Sequence, residues 1–361
     1  ISTFYHALQE YSKVHPMQPV LTNNWFDIGH EDKYYNSKLE VRAREFNHIT
    51  IDKNRGILKK TSDDKDKFIG EIKWYLKLPS DVEYVRPRIF DYSTSYVNPY
   101  VSMEYYAYHT VHELFLYGDL TLQQWVDIFN RIRFVCDDFK RYTVQDINIR
   151  PALEEMYLTK TLQRFEKMKK DERFLTFFES AITVNGKRYL PLNKIIISLE
   201  KAIPEMLYDV DTFNIIHGDL CFANIMVDSN FSFIKVIDPR GKFGTYDIYG
   251  DFRYELAKLF HSVDGKYDFI IKDLFDLDYN SEAACINYHI QDRKRDFNLY
   301  KVFLDTFAAE VGGDLKKIEL IEALLFLSMI PLHGESIRHQ MAMLGTGLEI
   351  LNRVIDIKES V

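Results

Sequence analysis

Cysteine is scarce. The chain of 361 residues holds three, Cys136, Cys221 and Cys285, at no paired spacing. That excludes a disulfide-stapled scaffold and favours a reducing, cytoplasmic setting. With neither CxxC nor HExxH, a zinc site would have no motif spacing. There is no GxxxxGK[ST], no GxGxxG after a strand and no GxSxG. The P-loop, the dinucleotide fingerprint and the nucleophile elbow are therefore set aside. Long apolar runs are missing too. The strongest, 320–330, is interrupted by Glu322 and ends at Pro331, short of the roughly 18 residues a membrane span needs. The first twenty residues scatter His, Gln, Glu and Lys where a signal peptide would have an apolar core. Positive charge is in deficit, 46 Lys and Arg against 54 Asp and Glu, for a net −8. This argues against nucleic acid or an anionic membrane as the main partner. A local basic pocket for one phosphate-bearing ligand is compatible with it.

What the chain has in plenty is aromatic bulk: 26 Phe, 24 Tyr and 3 Trp. That supplies a large core and argues against disorder. At roughly 150 residues per domain the length suggests two lobes. Segments 46–52 and 56–61 flank Lys53-Asn54-Arg55 and read as a hairpin. Ser62-Asp63-Asp64 offers a helix cap, and Phe68, Ile69, Ile72, Tyr75 and Leu76 follow at helical spacing until Pro79. Segments 82–92 and 96–106 read as two more strands. Residues 39–106 are thus expected to form a small antiparallel sheet with one inserted helix, the nucleotide-binding lobe. Residues 107–361 read as a larger, mainly helical lobe carrying the catalytic and acceptor sites. It has a strand-rich island at 213–238. Residues 1–38 read as an N-terminal extension.

The informative stretch is Ile215-Ile216-His217-Gly218-Asp219-Leu220-Cys221-Phe222-Ala223-Asn224-Ile225-Met226-Val227. A second apolar run, Phe233-Ile234-Lys235-Val236-Ile237, delivers Asp238, and the residues between, 228–232, are turn formers. A hairpin centred on Phe231 opposes Asn224 with Asp238 at its open end. An amide oxygen and a carboxylate there make a hard-oxygen site suited to Mg²⁺. Asp219, a short loop away, is placed to take a hydroxyl proton or to orient the hydroxyl for in-line attack. Taken singly, each residue also fits a capped turn or a strand end.

His-Gly-Asp-x₄-Asn followed by Ile-Asp resembles the catalytic and metal loops of the aminoglycoside phosphotransferase and choline kinase-like family. The resemblance implies an α+β, protein-kinase-like two-lobed fold with a small β-rich N-lobe and a larger helical C-lobe. It implies Asp219 as the catalytic aspartate, Asn224 and Asp238 as Mg²⁺ ligands, and ATP or another nucleoside triphosphate as donor. Gly250-Asp251-Phe252-Arg253-Tyr254-Glu255-Leu256-Ala257 resembles the family's Gly-Asp-Pro-x-x-Asp-Leu-Ala helix start, where Asp251 is expected to cap a helix and brace the catalytic loop. In the N-lobe, Ile57-Leu58-Lys59 resembles the kinase strand that ends in a phosphate-binding lysine. Lys59 is favoured, and its neighbour Lys60 stays open. Glu71, at the margin of an apolar helix face, wants a buried cation and matches the helix glutamate that pairs with that lysine. Met103, Glu104 and Tyr105 are expected at the hinge beside the adenine edge. Arg44-Glu45-Phe46-Asn47-His48 is expected to cover the phosphates, though it holds no glycine.

Two departures matter. Asp238-Pro239-Arg240-Gly241 stands where Asp-Phe-Gly is more usual, so Pro239 stiffens the loop and Arg240 is offered either to an anion or to a structural ion pair. No Ala-Pro-Glu segment follows, which disfavours a protein kinase. His217 is expected to brace the loop through its ring. The implied activity is phosphorylation of a hydroxyl on a small molecule such as a sugar, an amino alcohol like choline, or an aminoglycoside. A non-catalytic nucleotide-binding module is the rival reading. Finally, Trp25-Phe26-Asp27-Ile28-Gly29-His30 with Tyr34-Tyr35 resembles the close of sugar-phosphate nucleotidyltransferases. With no initial Met, this suggests the kinase part of a longer protein that activates a building block for a surface glycan.

Overall fold

The computed structural model describes residues 2–15 and 47–358. Two compact units divide the chain, Ile1–His48 and Ile49–Val361. In the first, a helix runs over Ser2–Val14. The segment 24–35 and the turn residues Arg44, Glu45 and Phe46 lie outside the described residues.

A first hairpin joins β1 (Asn47–Asp52) to β2 (Ile57–Ser62). Asp52 makes the turn, its carboxylate accepting from the N–H groups of Asn54 and Arg55 at 3.1 Å each, an Asx turn. Gly56 closes it at φ 63°. With β3 (Ile89–Ser93) and β4 (Tyr100–Glu104), the sheet order is β1-β2-β4-β3. The expected strand over 82–92 is shorter. Val82 and Val85 are both buried, three residues apart, and bound a 3₁₀ turn at Glu83–Val85. Pro87 then supplies no N–H to a ladder.

The inserted helix, Lys65–Lys77, is capped by Asp64 and buries Phe68, Glu71, Ile72, Trp74 and Tyr75. Trp74 donates its indole N–H to the Ile216 carbonyl at 2.7 Å, so this helix touches the informative loop directly.

Beyond residue 110 the chain is mostly helix. Thr110 and Thr121 each form a reciprocal capping box, opening helices Val111–Tyr117 and Leu122–Lys140. Between Ile149–Leu153 and Lys160–Lys169 the helix widens to a π segment over Glu154–Thr159. Helix Phe252–Val263 is buried at all 12 positions, and it packs on Leu315–Met329, which in turn packs on Ile337–Val354. Two short helices, Leu299–Thr306 and Ala308–Val311, follow one another. A second four-stranded sheet, built from Ile182–Val184, Lys187–Tyr189, Phe275–Asn280 and Cys285–Ile290, is an addition to the expected elements. Among the described residues no helix is long and apolar enough to cross a membrane.

Candidate active site

The loop His217-Gly218-Asp219 leaves the strand Phe213–Ile215 and is held from beneath. The Glu255 carboxylate accepts from the N–H groups of His217 at 2.7 Å and Gly218 at 2.9 Å. Burial pushes the Glu255 carboxyl up to about 7, although those two backbone donors oppose the shift. His217 donates from Nε2 to the Ile237 carbonyl at 3.0 Å and accepts at Nδ1 from the Asp219 N–H at 3.3 Å. Both ring nitrogens are thus used by one neutral tautomer. Burial pulls the ring down to about 4, against the opposing charge of Asp219.

Asp219 is paired. Lys258 Nζ lies 2.8 Å from its Oδ1. Burial alone would raise this carboxyl, and Lys258 reverses that, holding it well below the usual carboxylate range. Asn224 turns its amide nitrogen toward Asp219, 2.8 Å from the backbone O and 3.2 Å from Oδ2. The amide oxygen is therefore the acceptor end of that side chain.

The hairpin register differs by one residue from the expected one. Ile225 pairs with Val236, and the Ile237 N–H donates to the Asn224 carbonyl at 3.0 Å, so Asn224 faces Ile237. A one-residue slip would normally send Asp238 to the other face. The strand alternation stops first, because Asp238 adopts φ 56°. That left-handed turn is uncommon outside Gly, Asn and Asp. Its N–H donates to the Tyr75 hydroxyl at 3.0 Å, and its side chain is about half exposed at 49%. One amide oxygen and one half-exposed carboxylate, with Asp219 adjacent, are a hard-oxygen donor set that fits Mg²⁺.

The lysine joined to Glu71 is Lys60, a correction to the preference for Lys59. Lys60 Nζ lies 2.9 and 2.8 Å from the two Glu71 oxygens and 2.8 Å from Asp238 Oδ1. Strand alternation explains the swap. Lys60 and Ser62 fall on the buried face of β2, while Lys59 points outward and rests over the Tyr100 ring at 4.3 Å. Burial lowers the Lys60 ammonium's affinity for its proton, yet Asp238 and Glu71 outweigh that and raise it to about 12. Glu71 itself is pushed up to about 7 by burial, with Lys60 opposing.

Met103 is buried opposite Leu58. The N–H groups of Glu104 and Tyr105 are spent on the carbonyls of Arg88 and Gly56, each at 2.8 Å. Asp251 caps its helix, accepting from the Arg253 N–H at 2.9 Å and the Tyr157 hydroxyl at 2.8 Å. The brace under the loop is Glu255 rather than Asp251, again a correction. Arg240 donates its backbone N–H to the His217 carbonyl at 2.9 Å and its Nη1 to the Tyr254 hydroxyl at 2.6 Å. Two residues with direct contacts to the loop, Glu255 and Lys258, received no role from the sequence. Their signal was there: both are charged positions in a helix that is otherwise largely apolar. Away from the loop, His333, Glu335 and His339 bring ligand atoms within 4.8 Å of one another. Each imidazole there is already hydrogen-bonded to a carboxylate, Glu335 or Asp273, at 3.0 Å.

No family model matches the sequence, and no curated relative matches it. Solved structures do share the fold. Aminoglycoside phosphotransferase APH(4)-Ia aligns with a TM-score of 0.52 at 13% identity, over 89% of this chain and 97% of that one. A thermostable mutant of the same enzyme, in ternary complex with ADP and hygromycin B, aligns with a TM-score of 0.52 at 13% identity, over 86% and 92%. The chain therefore has the two-lobed, kinase-like α+β fold of the aminoglycoside phosphotransferases.

Proposed function

We propose that this protein is an ATP- and Mg²⁺-dependent phosphotransferase acting on a hydroxyl of a small molecule. The observation that carries the reading is the meeting of two groups at Ile237-Asp238: the Lys60–Glu71 pair from the sheet lobe, with Lys60 on Asp238, and the Asp219–Asn224 loop from the helical lobe, whose Asn224 carbonyl accepts from the Ile237 N–H. A nucleotide lying along that junction has its phosphates beside Lys60, which offers a compact point charge. Asn224 and Asp238 would hold the Mg²⁺, which when bound neutralises charge on the phosphates. The hinge carries the base, with contacts shifted past Tyr105 because the two preceding N–H groups are in use.

Asp219 is a poor equilibrium base, since Lys258 keeps it ionised. Its work is to accept a hydrogen bond from the acceptor hydroxyl and aim its oxygen. That oxygen bonds to the γ-phosphorus as the bond to the β,γ-bridging oxygen breaks and the nucleoside diphosphate leaves. The hydroxyl proton passes to Asp219 late, in keeping with a loose transition state.

The test pairs binding with turnover. Asp219→Ala should abolish transfer in a labelled-nucleotide acceptor screen while Mg-AMP-PNP binds within a few-fold of wild type. Asp238→Ala should weaken Mg-AMP-PNP itself. Retained transfer in Asp219→Ala, or an unchanged titration in Asp238→Ala, overturns the assignment. Nucleotide binding with no transfer to any acceptor would favour the non-catalytic module.

A further inference from the structure

Next to the candidate catalytic loop lies a group of cations that the phosphotransfer scheme leaves unused. Arg240 packs on Gly218 so closely that a Cβ there would sit 2.9 Å from its own Cβ. Its guanidinium lies 5.6 Å from the Tyr254 ring, and Lys258 Nζ lies 6.0 Å from the same ring. Tyr254 thus carries two cations, one of which already meets Asp219. The ring is also 6.3 Å from Tyr157, in the π segment. Three residues on comes Lys160, and one turn beyond, on the same face, Arg164. Lys160 rests on the Met156 sulfur at 2.8 Å, and its nearest carboxylate oxygen is Glu155 at 3.7 Å. Among the described residues neither Arg240 nor Arg164 forms an ion pair.

These groups feel each other. Burial, then Arg240, pulls the Lys160 ammonium down to about 8, with Lys242 adding to the effect. Burial and Arg240 lower Arg164 too. In a chain where acids outnumber bases, 54 to 46, two guanidiniums without an ion pair and a lysine with one carboxylate at 3.7 Å are costly together unless an anion joins them. Two planar guanidiniums match the fork geometry of phosphate and carboxylate oxygens.

We propose that the acceptor is an anionic hydroxyl compound, bearing a phosphate or carboxylate that Arg240, Lys160 and Arg164 hold while its hydroxyl faces Asp219. The inference rests on the phosphotransferase reading and narrows it. Choline and polycationic aminoglycosides meet like charge at this surface and are poor fits.

The test uses the full chain saturated with Mg-AMP-PNP, so that the nucleotide phosphates already occupy Lys60. Glycerol, glycerol 3-phosphate, glycerate and choline are titrated by calorimetry. These probes differ chiefly in charge, and the phosphate and carboxylate arms separate the two anions. Glycerol 3-phosphate or glycerate should bind at least about tenfold more tightly than glycerol or choline. In Lys160→Gln/Arg164→Gln that advantage should fall about tenfold, with Mg-AMP-PNP affinity kept. An anion bound no better than glycerol, or equally well by the double variant, overturns the proposal. Arg164→Lys, which keeps charge and loses the fork, should show a partial loss and guards against a misfolded double variant. If Mg-AMP-PNP itself fails to bind, the phosphotransferase reading falls instead.

Discussion

Lys60 sits between two carboxylates of different character, Glu71 fully enclosed and Asp238 half exposed. Removing the ammonium strands Glu71 without a partner. Lys60→Ala should therefore cost roughly 3–5 kcal/mol near pH 8 in urea denaturation. Glu71 already stands at about 7 against an ordinary 4.5, and losing Lys60 raises it further. Its folded form then takes up a proton that the unfolded chain does not hold, so the variant's deficit should shrink near pH 5.5. Lys59→Ala, on the outer face over Tyr100, should change stability by less than about 0.5 kcal/mol. Equal effects at the two lysines would contradict the pairing. His217 gives the opposite sign. Its ring is held near 4 against 6.5, so the unfolded chain gains the proton first. Stability from this residue is full above about pH 6.5 and declines as pH falls toward 4. Ring ¹⁵N shifts should report a neutral imidazole protonated at Nε2 throughout the neutral range; a titration near pH 6.5 would rule out the buried neutral ring.

Between elements, the tightest joint is where the Pro239-Arg240-Gly241 loop meets the Lys65–Lys77 helix. A Cβ on Gly241 would lie 2.1 Å from the Gly70 backbone, and the residue sits at φ 64°. A Cβ on Gly70 would come no closer than 3.2 Å to its nearest neighbour, the Gly241 carbonyl oxygen. Gly241→Ala should accordingly cost at least about 2 kcal/mol, and Gly70→Ala distinctly less, as measured by chemical denaturation. Local chemistry made much of this region legible. The Asx turn at Asp52, the Asp64 cap and the apolar face of the helix are written in neighbouring residues. So is the clustering of His217, Asp219 and Asn224. The choice of Lys60 over Lys59 turned on which face of β2 is covered, and a tertiary contact decides that. The hairpin register depended on a left-handed residue at Asp238, which turn composition does not announce. Glu255 became the brace because folding brings it beneath a loop 37 and 38 residues away in sequence. The Cys285–Ile290 strand pairs with Phe275–Asn280 and also with Ile182–Val184, about a hundred residues upstream, so the joining of two hairpins into one sheet had no local signature.

At the scale of the whole molecule, burial is concentrated on Phe252–Val263. All 12 of its residues are enclosed, including Glu255, Lys258 and His261. Its amides should be among the slowest to exchange with deuterium, protected near the global unfolding limit. Those of Lys65–Lys77, which leaves much of one face to solvent, should open earlier. Faster exchange in the enclosed helix would show that the core is organised differently. Phe252–Val263 also sets where this scaffold can be redesigned. A random library over that segment would yield mostly insoluble clones, because every position there answers to several neighbours at once. Diversity placed instead on the exposed face of the Lys160–Lys169 helix would vary the proposed acceptor surface while leaving the enclosed core intact.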